Sequence, residues 1–461
     1  MELRIDRQAL VPVVQQIVDA LACGIRRNEV APGARLPSVR KIARVNLLNQ
    51  SCVVEACERL VAQGMLESRH GAGYIVAAPA PGAMGHQDAV WFEDAEIGQG
   101  PSLCELQLGF GSLPESWRES DDLAYAIREI SRTDMAGLFN YSSPLGLPAL
   151  RQQILKCLKQ LDINVDGSRI MTTAGASQGL DLIVRTLLRV GDCVVVESPG
   201  YPVLFDLLRL HGVSMLEVPR TPSGPDIAAL EALLLRYQPR ALFINSFHHN
   251  PTGSSLAPEV AQRVLQLTKE QGVLVIEDDV YADLHSGPGK RLAALDDRVI
   301  YVGSYSKTLS SSLRVGFVVA CTEVIARLAE VKMISSMGAS RFCESVLARL
   351  LANGAYRKLV QRQRQRLNSD RQTALQLLED ADWEVFGKPA GGLFIWARSR
   401  MPDYAQVRTQ ARRFGVLLSP TTTFSAAGVA NDWQRINVAC ACDPRARAFF
   451  QATAADRPQA F

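Results

Sequence analysis

The sequence predicts an α/β protein in two parts. A small winged helix-turn-helix comes first, and a large doubly wound domain on a mainly parallel sheet follows. Three observations carry this prediction. Residues 1–76 hold three stretches with helical hydrophobic spacing and then two short runs separated by a Gly-rich turn. Residues 170–302 alternate short apolar runs with helix-like stretches, which is the pattern of parallel strands with helical crossovers. Between two such runs sits a polar loop that carries a single lysine, Lys307.

The first segment divides as follows. Val14, Ile17, Val18, Leu21 and Ile25 give Val11–Arg27 a helical stripe. Asn28-Glu29 and Ala31-Pro32-Gly33-Ala34 make a turn, and Ser38 can cap a second helix that turns Val39, Ile42 and Ala43 inward. Asn49 or Ser51 caps a third helix through Val53, Val54, Ala56, Leu60 and Val61, which Gly64 ends. Met65–Val76 reads as a hairpin with its turn at His70-Gly71-Ala72-Gly73. Residues 77–104 are rich in Ala, Pro and Gly and read as a linker, with Val90-Trp91-Phe92 as an apolar knot suited to docking.

Composition narrows the function classes. The chain has 461 residues, 47% hydrophobic and 21% charged, an ordinary soluble balance with room for more than one domain. No apolar run approaches the ~18 residues of a membrane span, and the N-terminus lacks a signal pattern. The ten cysteines contain no C-x-x-C pair, so neither a zinc ribbon nor a disulfide framework is indicated, and a reducing cytoplasm fits. The net charge of +3 is unevenly placed. Residues 1–76 carry 10 Lys/Arg against 7 Asp/Glu, which leaves 40 of each from the chain's 50 and 47. The basic excess lies entirely in the first segment and points to a polyanion there.

In the large segment, 105–461, polar groups fall at the carboxyl ends of the predicted strands, where open α/β sheets bind ligands. Ile170–Thr173 leads into Ala174-Gly175-Ala176-Ser177-Gln178-Gly179, small residues that open a helix and suit a phosphate. Cys193–Glu197 leads to Tyr201, which can stack on an aromatic ring. Ser214–Val218 is a further strand. Ala241–Asn245 leads to His248-His249-Asn250-Pro251-Thr252-Gly253, and Val273–Glu277 to Asp278-Asp279-Val280-Tyr281. The two histidines have no partner cysteine or carboxylate at ligand spacing, so no metal is expected. Val299–Val302 leads to Gly303, Ser304, Ser306 and Lys307, with Arg314 seven residues on and Val315–Val318 resuming the apolar pattern. A lysine held between strands, with hydroxyls before it and an arginine after it, suits Schiff-base chemistry beside a bound anion. Arg435 stands at the start of one more strand.

Two resemblances follow from these strings. PGARLPSVRKIA and VVEACERLVAQGMLESRHGAGYIV, within residues 8–76, resemble the DNA-binding domain of GntR-type bacterial regulators. The resemblance implies that the third helix enters the major groove of double-stranded DNA. Arg40 would meet the backbone near it, Arg35 and Ser38 are further expected DNA-binding residues, and the wing at Gly71 and Gly73 would lie along the minor groove. Base reading would fall to Asn49-Gln50-Ser51-Cys52, which replaces the family's usual Ser-Arg-x-Thr; Gln50 suits adenine where an arginine favours guanine.

Residues 105–445 resemble fold-type I pyridoxal-phosphate enzymes of the aminotransferase kind. That implies a small C-terminal α+β subdomain, pyridoxal 5'-phosphate as cofactor, and a homodimer. By the resemblance, Lys307 joins the cofactor as a Schiff base, and Asp278 pairs with its pyridine nitrogen. Asn250 and Tyr281 bond the ring hydroxyl, and Tyr201 covers the ring face. Ala176, Ser177, Ser304 and Arg314 hold the phosphate, and Tyr141 reaches the phosphate of the partner subunit. Arg435 grips the α-carboxylate of an amino acid. Lys307, Asp278 and Tyr281 are the residues that would carry any chemistry.

The two halves together resemble the MocR subfamily of transcriptional regulators, in which the body is a sensor. The effector would be pyridoxal phosphate itself, or an amine or amino acid that displaces Lys307. The residues leave a second reading open, a working aminotransferase with residual or full turnover, because no catalytic group is visibly missing.

Overall fold

The structure, a computed structural model, describes residues 13–26, 30, 33–62, 65–69, 73–76, 105–118, 120–285, 289–401 and 403–454. The wing turn at residues 70–72, including Gly71, the linker and the Val90-Trp91-Phe92 knot lie outside the described residues. The chain divides into two compact units, residues 1–106 and 107–461.

The head contains α1 (Val13–Arg26), α2 (Val39–Val45), α3 (Gln50–Ala62), β1 (Leu66–Arg69) and β2 (Gly73–Val76). Ser38 caps α2 by accepting from Lys41 N at 3.3 Å. Of the two capping candidates for α3, Asn49 is used: its Oδ1 accepts from Ser51 N at 3.1 Å. The apolar stripe of each helix meets in one core built on Ile17, Leu21, Ile42, Val53, Ala56 and Leu60, with Leu66 and Val76 closing it from the hairpin. The hairpin is antiparallel, pairing Leu66 with Val76 through Arg69 with Gly73.

The body is organised on an eight-stranded sheet. Its strands are β3 (Ile170–Thr173), β4 (Cys193–Ser198), β5 (Ser214–Thr221), β6 (Gly224–Pro225), β7 (Ala241–Ile244), β8 (Leu274–Asp278), β9 (Ile300–Ser304) and β10 (Gly316–Val319), in the order β3-β10-β9-β8-β7-β4-β5-β6. The run β9-β8-β7-β4-β5 is parallel throughout. The run after Arg314 becomes β10, which is antiparallel to both of its neighbours, β3 and β9. β5 extends beyond the predicted Val218 to Thr221, because the hairpin with β6 continues its pairing.

Alternation along the strands sorts residues to two cores. Val194 and Val196 of β4 and Phe243 of β7 face one side with Ile183, Phe205 and Leu328. Val195, Leu242 and Ile244 face the other with Leu230, Leu234 and Val264. A smaller antiparallel sheet, β11 (Glu384–Val385), β12 (Phe394–Arg398) and β13 (Trp433–Asn437), lies toward the C-terminus. Arg435 therefore sits in the middle of β13 rather than at its start, paired across from Trp396. Among the described residues no helix is long and apolar enough to cross a membrane.

Candidate functional site

The carboxyl ends of β7, β8 and β9 and the N-terminus of the helix Ala176–Leu187 surround one pocket. Its lining includes Ala176, Ser177, Tyr201, Asn250, Asp278, Tyr281, Ser304, Lys307 and Arg314, nine of the ten residues expected to hold a cofactor. The tenth, Tyr141, is 79% exposed on the body's surface and does not line it.

The acid of the pocket is chosen by strand geometry. Glu277, Asp278 and Asp279 are consecutive and all buried. Glu277 accepts from Leu292 N at 2.9 Å and Ala293 N at 2.8 Å. Asp279 pairs with Arg291 at 2.9 Å and accepts from Tyr301 Oη at 3.0 Å. Asp278 alone of the three lines the pocket. Burial pushes its carboxyl up to about 7, with Asp279 adding to the rise and the Val280 N–H and Lys307 opposing it. A cation placed beside it would restore its charge.

Asn250 is presented by a loop fastened at both ends to one buried ion pair. Glu197 pairs with Arg220, which also donates to Asn245 O at 2.9 Å and Ser254 Oγ at 3.0 Å. Glu197 accepts from Asn245 N at 2.8 Å, and the Asn245 side chain reaches Asp278 O. The loop histidines turn into different surroundings. His248 Nε2 faces His285 Nδ1 at 3.2 Å, and His249 Nδ1 faces Thr252 Oγ1 at 2.9 Å.

Lys307 lines the pocket, and Arg435 lies behind Asn250. Lys307 Nζ donates to Gly111 O at 3.1 Å. Arg435 is buried and lies over Phe394 and Phe424, at 4.8 and 5.0 Å from the ring centroids. It donates to Asn250 Oδ1 at 2.9 Å and Gly109 O at 2.8 Å, which links the expected carboxylate grip to the expected ring contact.

Two features test whether the pocket fits pyridoxal phosphate. Gly175, the N-cap of the helix Ala176–Leu187, has φ +80°, and a Cβ there would stand 2.6 Å from Arg314 Nη2. The bare backbone lets the guanidinium close over the helix N-terminus, an arrangement suited to a phosphate. Ser306 lines the same pocket, and among the described residues its Oγ is buried without a hydrogen-bond partner. A buried unpaired hydroxyl facing a pocket calls for a polar ligand group. The residues fit the cofactor.

Residues 105–448 match the family described as aminotransferase class I and II. The chain belongs to that family. Residues 13–76 match the bacterial regulatory proteins of the gntR family, so this aminotransferase-family body carries a regulator's head, the layout of MocR-type regulators. The HTH-type transcriptional regulator YisV of Bacillus subtilis (strain 168) is 28% identical over 85% of each chain. The 2-aminoadipate transaminase of Thermus thermophilus is 32% identical over 60% of this chain and 70% of its own. Among solved structures, LysN, the α-aminoadipate aminotransferase of Thermus thermophilus complexed with N-(5'-phosphopyridoxyl)-L-leucine, superposes with a TM-score of 0.70 at 28% identity. The match covers 76% of this chain and 92% of that one. The cofactor of the family, pyridoxal 5'-phosphate, is the cofactor of this body.

Several lining residues went unassigned in the sequence. Ser306 stood in the right loop without a role. Asn245, at the end of β7, and Ser311 also line the pocket. Gly109 and Gly111 carried no signal, because their contribution is a backbone carbonyl.

In the head, Arg35, Arg40, Asn49, Gln50 and Ser51 are exposed. Ser38 is exposed but its hydroxyl is engaged as the α2 cap. Cys52 is half-buried against the head's core, so the structure does not bring it to the exposed face with its three predecessors. Gly73 has φ +83°, and the Arg35 guanidinium lies 3.8 Å from where its Cβ would be. Arg35 also bridges to Ile75 through the backbone, which fixes it beside the wing.

Proposed function

We propose that this chain is a transcriptional regulator whose body reads pyridoxal phosphate, or an amine or amino acid that joins it at Lys307, and passes the result to a DNA-binding head. The observation that carries the reading is the convergence of Lys307 and Asp278 on one pocket, with Arg435 bonded to the Asn250 that lines it, in a chain that begins with a GntR head. When bound, the cofactor supplies a carbonyl carbon open to amines and a ring that withdraws electrons.

The chain's own residues do the rest. Lys307 Nζ would hold the cofactor through its carbonyl carbon. Asp278, ionised by a protonated pyridine nitrogen beside it, holds that proton in place. Asn250 and Tyr281 donate to or accept from the ring hydroxyl, and Tyr201 covers the ring. Ala176 N, Ser177, Ser304, Ser306 and Arg314 take the phosphate. Arg435 offers its guanidinium to an effector carboxylate. In the head, α3 enters the major groove with Gln50 and Ser51 at the bases, while Arg35 and Arg40 meet phosphates and Gly71 and Gly73 belong to the wing.

A homodimer completes the reading. Met135, Phe139, Tyr141, Ile334 and Met337 are all exposed, Phe139 by 82% and Ile334 by 86%. The segments that carry them are tied together by Asp134–Arg341 at 3.4 Å and by Lys332 Nζ on Pro144 O at 2.9 Å. Such an exposed apolar group is suited to cover by a second copy of the chain.

The test is affinity for the DNA upstream of the chain's own gene, at fixed salt, with and without pyridoxal phosphate and a panel of amino acids, for the native chain and Lys307→Ala. The expected result is a ligand-dependent affinity that Lys307→Ala abolishes. A response left intact in Lys307→Ala sinks the proposal. Steady amino-group transfer without specific DNA binding would instead make the chain a working aminotransferase.

A further inference from the structure

The segment that follows the linker meets Lys307 of the pocket and has its carbonyls held in succession. Leu108 O accepts from Asn437 N at 2.7 Å. Gly109 O accepts from Arg435 Nε at 2.8 Å and from Ser419 Oγ at 2.6 Å. Phe110 O and Ser112 O both accept from Asn437 Nδ2, at 2.9 and 2.7 Å. Between them, Gly111 O accepts from Lys307 Nζ at 3.1 Å. Leu113 O accepts from Arg118 Nη2 at 3.2 Å. Six consecutive carbonyls are thus fastened, two of them by Lys307 of the pocket and by Arg435 behind it.

The glycines make the close approach possible. A Cβ on Gly109 would stand 2.2 Å from Ser419 N, and one on Gly111 would stand 3.2 Å from Phe394 Cζ and 3.6 Å from Lys307 Nζ. Asn437 is fully buried, and its side chain is held at the other end by Ala439 N, which donates to Oδ1 at 2.9 Å. It is placed to hold the strap and not to touch a ligand, since it does not line the pocket.

We propose that residues 108–113, pinned by Asn437, are the element through which the state of Lys307 reaches the linker. The proposal rests on the sensor reading above. Its chemistry is a count of donors. A lysine ammonium has three N–H donors, one of which serves Gly111 O. When Lys307 Nζ bonds the cofactor's carbonyl carbon, water leaves and the nitrogen keeps at most one N–H. An incoming primary amine reverses this: its nitrogen bonds the same carbon, the bond between that carbon and Lys307 Nζ breaks, and the amine's two protons pass to Lys307, which leaves as a primary amine. The number of N–H donors that Lys307 can offer Gly111 O therefore changes with each exchange. An effector carboxylate on Arg435 pulls on the neighbouring Gly109 O. The two contacts bracket Phe110, and residues 77–104 continue from this strap toward the head in the chain.

The experiment is hydrogen exchange of the amides of residues 108–113 in the full-length chain, with and without pyridoxal phosphate, with cofactor loading followed in the same sample by visible absorbance. The native chain is expected to change its exchange rates in this segment on loading. Asn437→Asp keeps the acceptor for Ala439 N and removes both donors to the strap. Its strap amides are expected to exchange at least about tenfold faster before loading, as the loss of two hydrogen bonds implies. They should no longer respond to pyridoxal phosphate, and DNA affinity should lose its ligand dependence. Asn437→Ser, which also caps but is too short to reach the carbonyls, provides the same test if the aspartate variant does not fold.

Exchange that is unchanged by loading in the native chain overturns the proposal. So does a ligand-dependent DNA affinity that persists in either variant. If the native chain loads and the strap responds while DNA affinity is indifferent to every ligand, the strap as a reporter of Lys307 stands and the sensor reading falls.

Discussion

Asp278 shows how one residue ties pocket chemistry to stability. Burial raises its carboxyl from 3.8 to about 7. The folded chain then keeps a proton that the unfolded chain gives up near pH 4. The stability tied to this group is complete below about pH 4 and is lost as pH rises through about 7, by at most about 4 kcal/mol. Denaturation midpoints of the cofactor-free chain from pH 4 to 8 should fall accordingly. Asp278→Asn should shallow that slope without abolishing it, because Glu277 is also pushed up to about 7 by burial and contributes with the same sign. The same variant should weaken pyridoxal phosphate about 100-fold or more, since a buried charge loses its partner. A spectroscopic titration that finds native affinity in Asp278→Asn would remove Asp278 from the site.

At the scale of elements, the loop before the helix Pro148–Gln160 is held from inside by two buried charges. Glu344 accepts from Ser142 Oγ at 2.5 Å, Leu147 N at 2.9 Å and Thr172 Oγ1. Lys332 donates to Pro144 O and Thr172 O at 2.9 and 2.8 Å. Burial holds its ammonium down to about 8, against the pull of Glu344. Glu344→Ala leaves three donors, Ser142 Oγ, Leu147 N and Thr172 Oγ1, without their acceptor and removes the charge that balances the buried Lys332 ammonium, and is expected to cost about 3–5 kcal/mol in urea unfolding. The loop carries Tyr141, so cofactor affinity should drop in parallel. In the head, α3 and the residues before it are the element at stake. Arg40→Ala should weaken all DNA sequences alike and lower the salt slope by about one, whereas Gln50→Arg should move preference from adenine to guanine at one position by about 1–3 kcal/mol. Binding measured against a small set of operator variants separates the two.

For the whole molecule, the exposed apolar residues on the body predict assembly. Ile334→Asp places a charge where 86% of an isoleucine is exposed, so it should leave the fold intact while weakening the homodimer proposed above by about 2 kcal/mol or more. Sedimentation over a concentration series reads this directly. A dimer that survives Ile334→Asp unchanged would locate the interface elsewhere. Because DNA binding by two linked heads draws on their effective concentration, operator affinity should fall with dimer loss even though the head is untouched.

The local pattern of the sequence determined the order of elements and the two-part division, and the resemblance to pyridoxal-phosphate enzymes implied nine of the fourteen residues that line the pocket. Periodicity placed α1 to α3, and the short apolar runs placed the parallel strands, because each reports a burial preference that acts within a few residues. Tertiary structure decided what depends on residues far apart. It gave Glu277 to backbone N–H groups and Asp279 to Arg291, which leaves Asp278, the acid the resemblance implied, to line the pocket. It turned Cys52 half inward, and it joined Arg435 to Asn250 across 185 positions. It also laid residues 108–113 against the pocket, where the functional groups are carbonyl oxygens that every residue possesses. A backbone acceptor leaves no mark in a sequence beyond the glycines that let it come close, so only the folded chain shows that the segment after the linker meets Lys307.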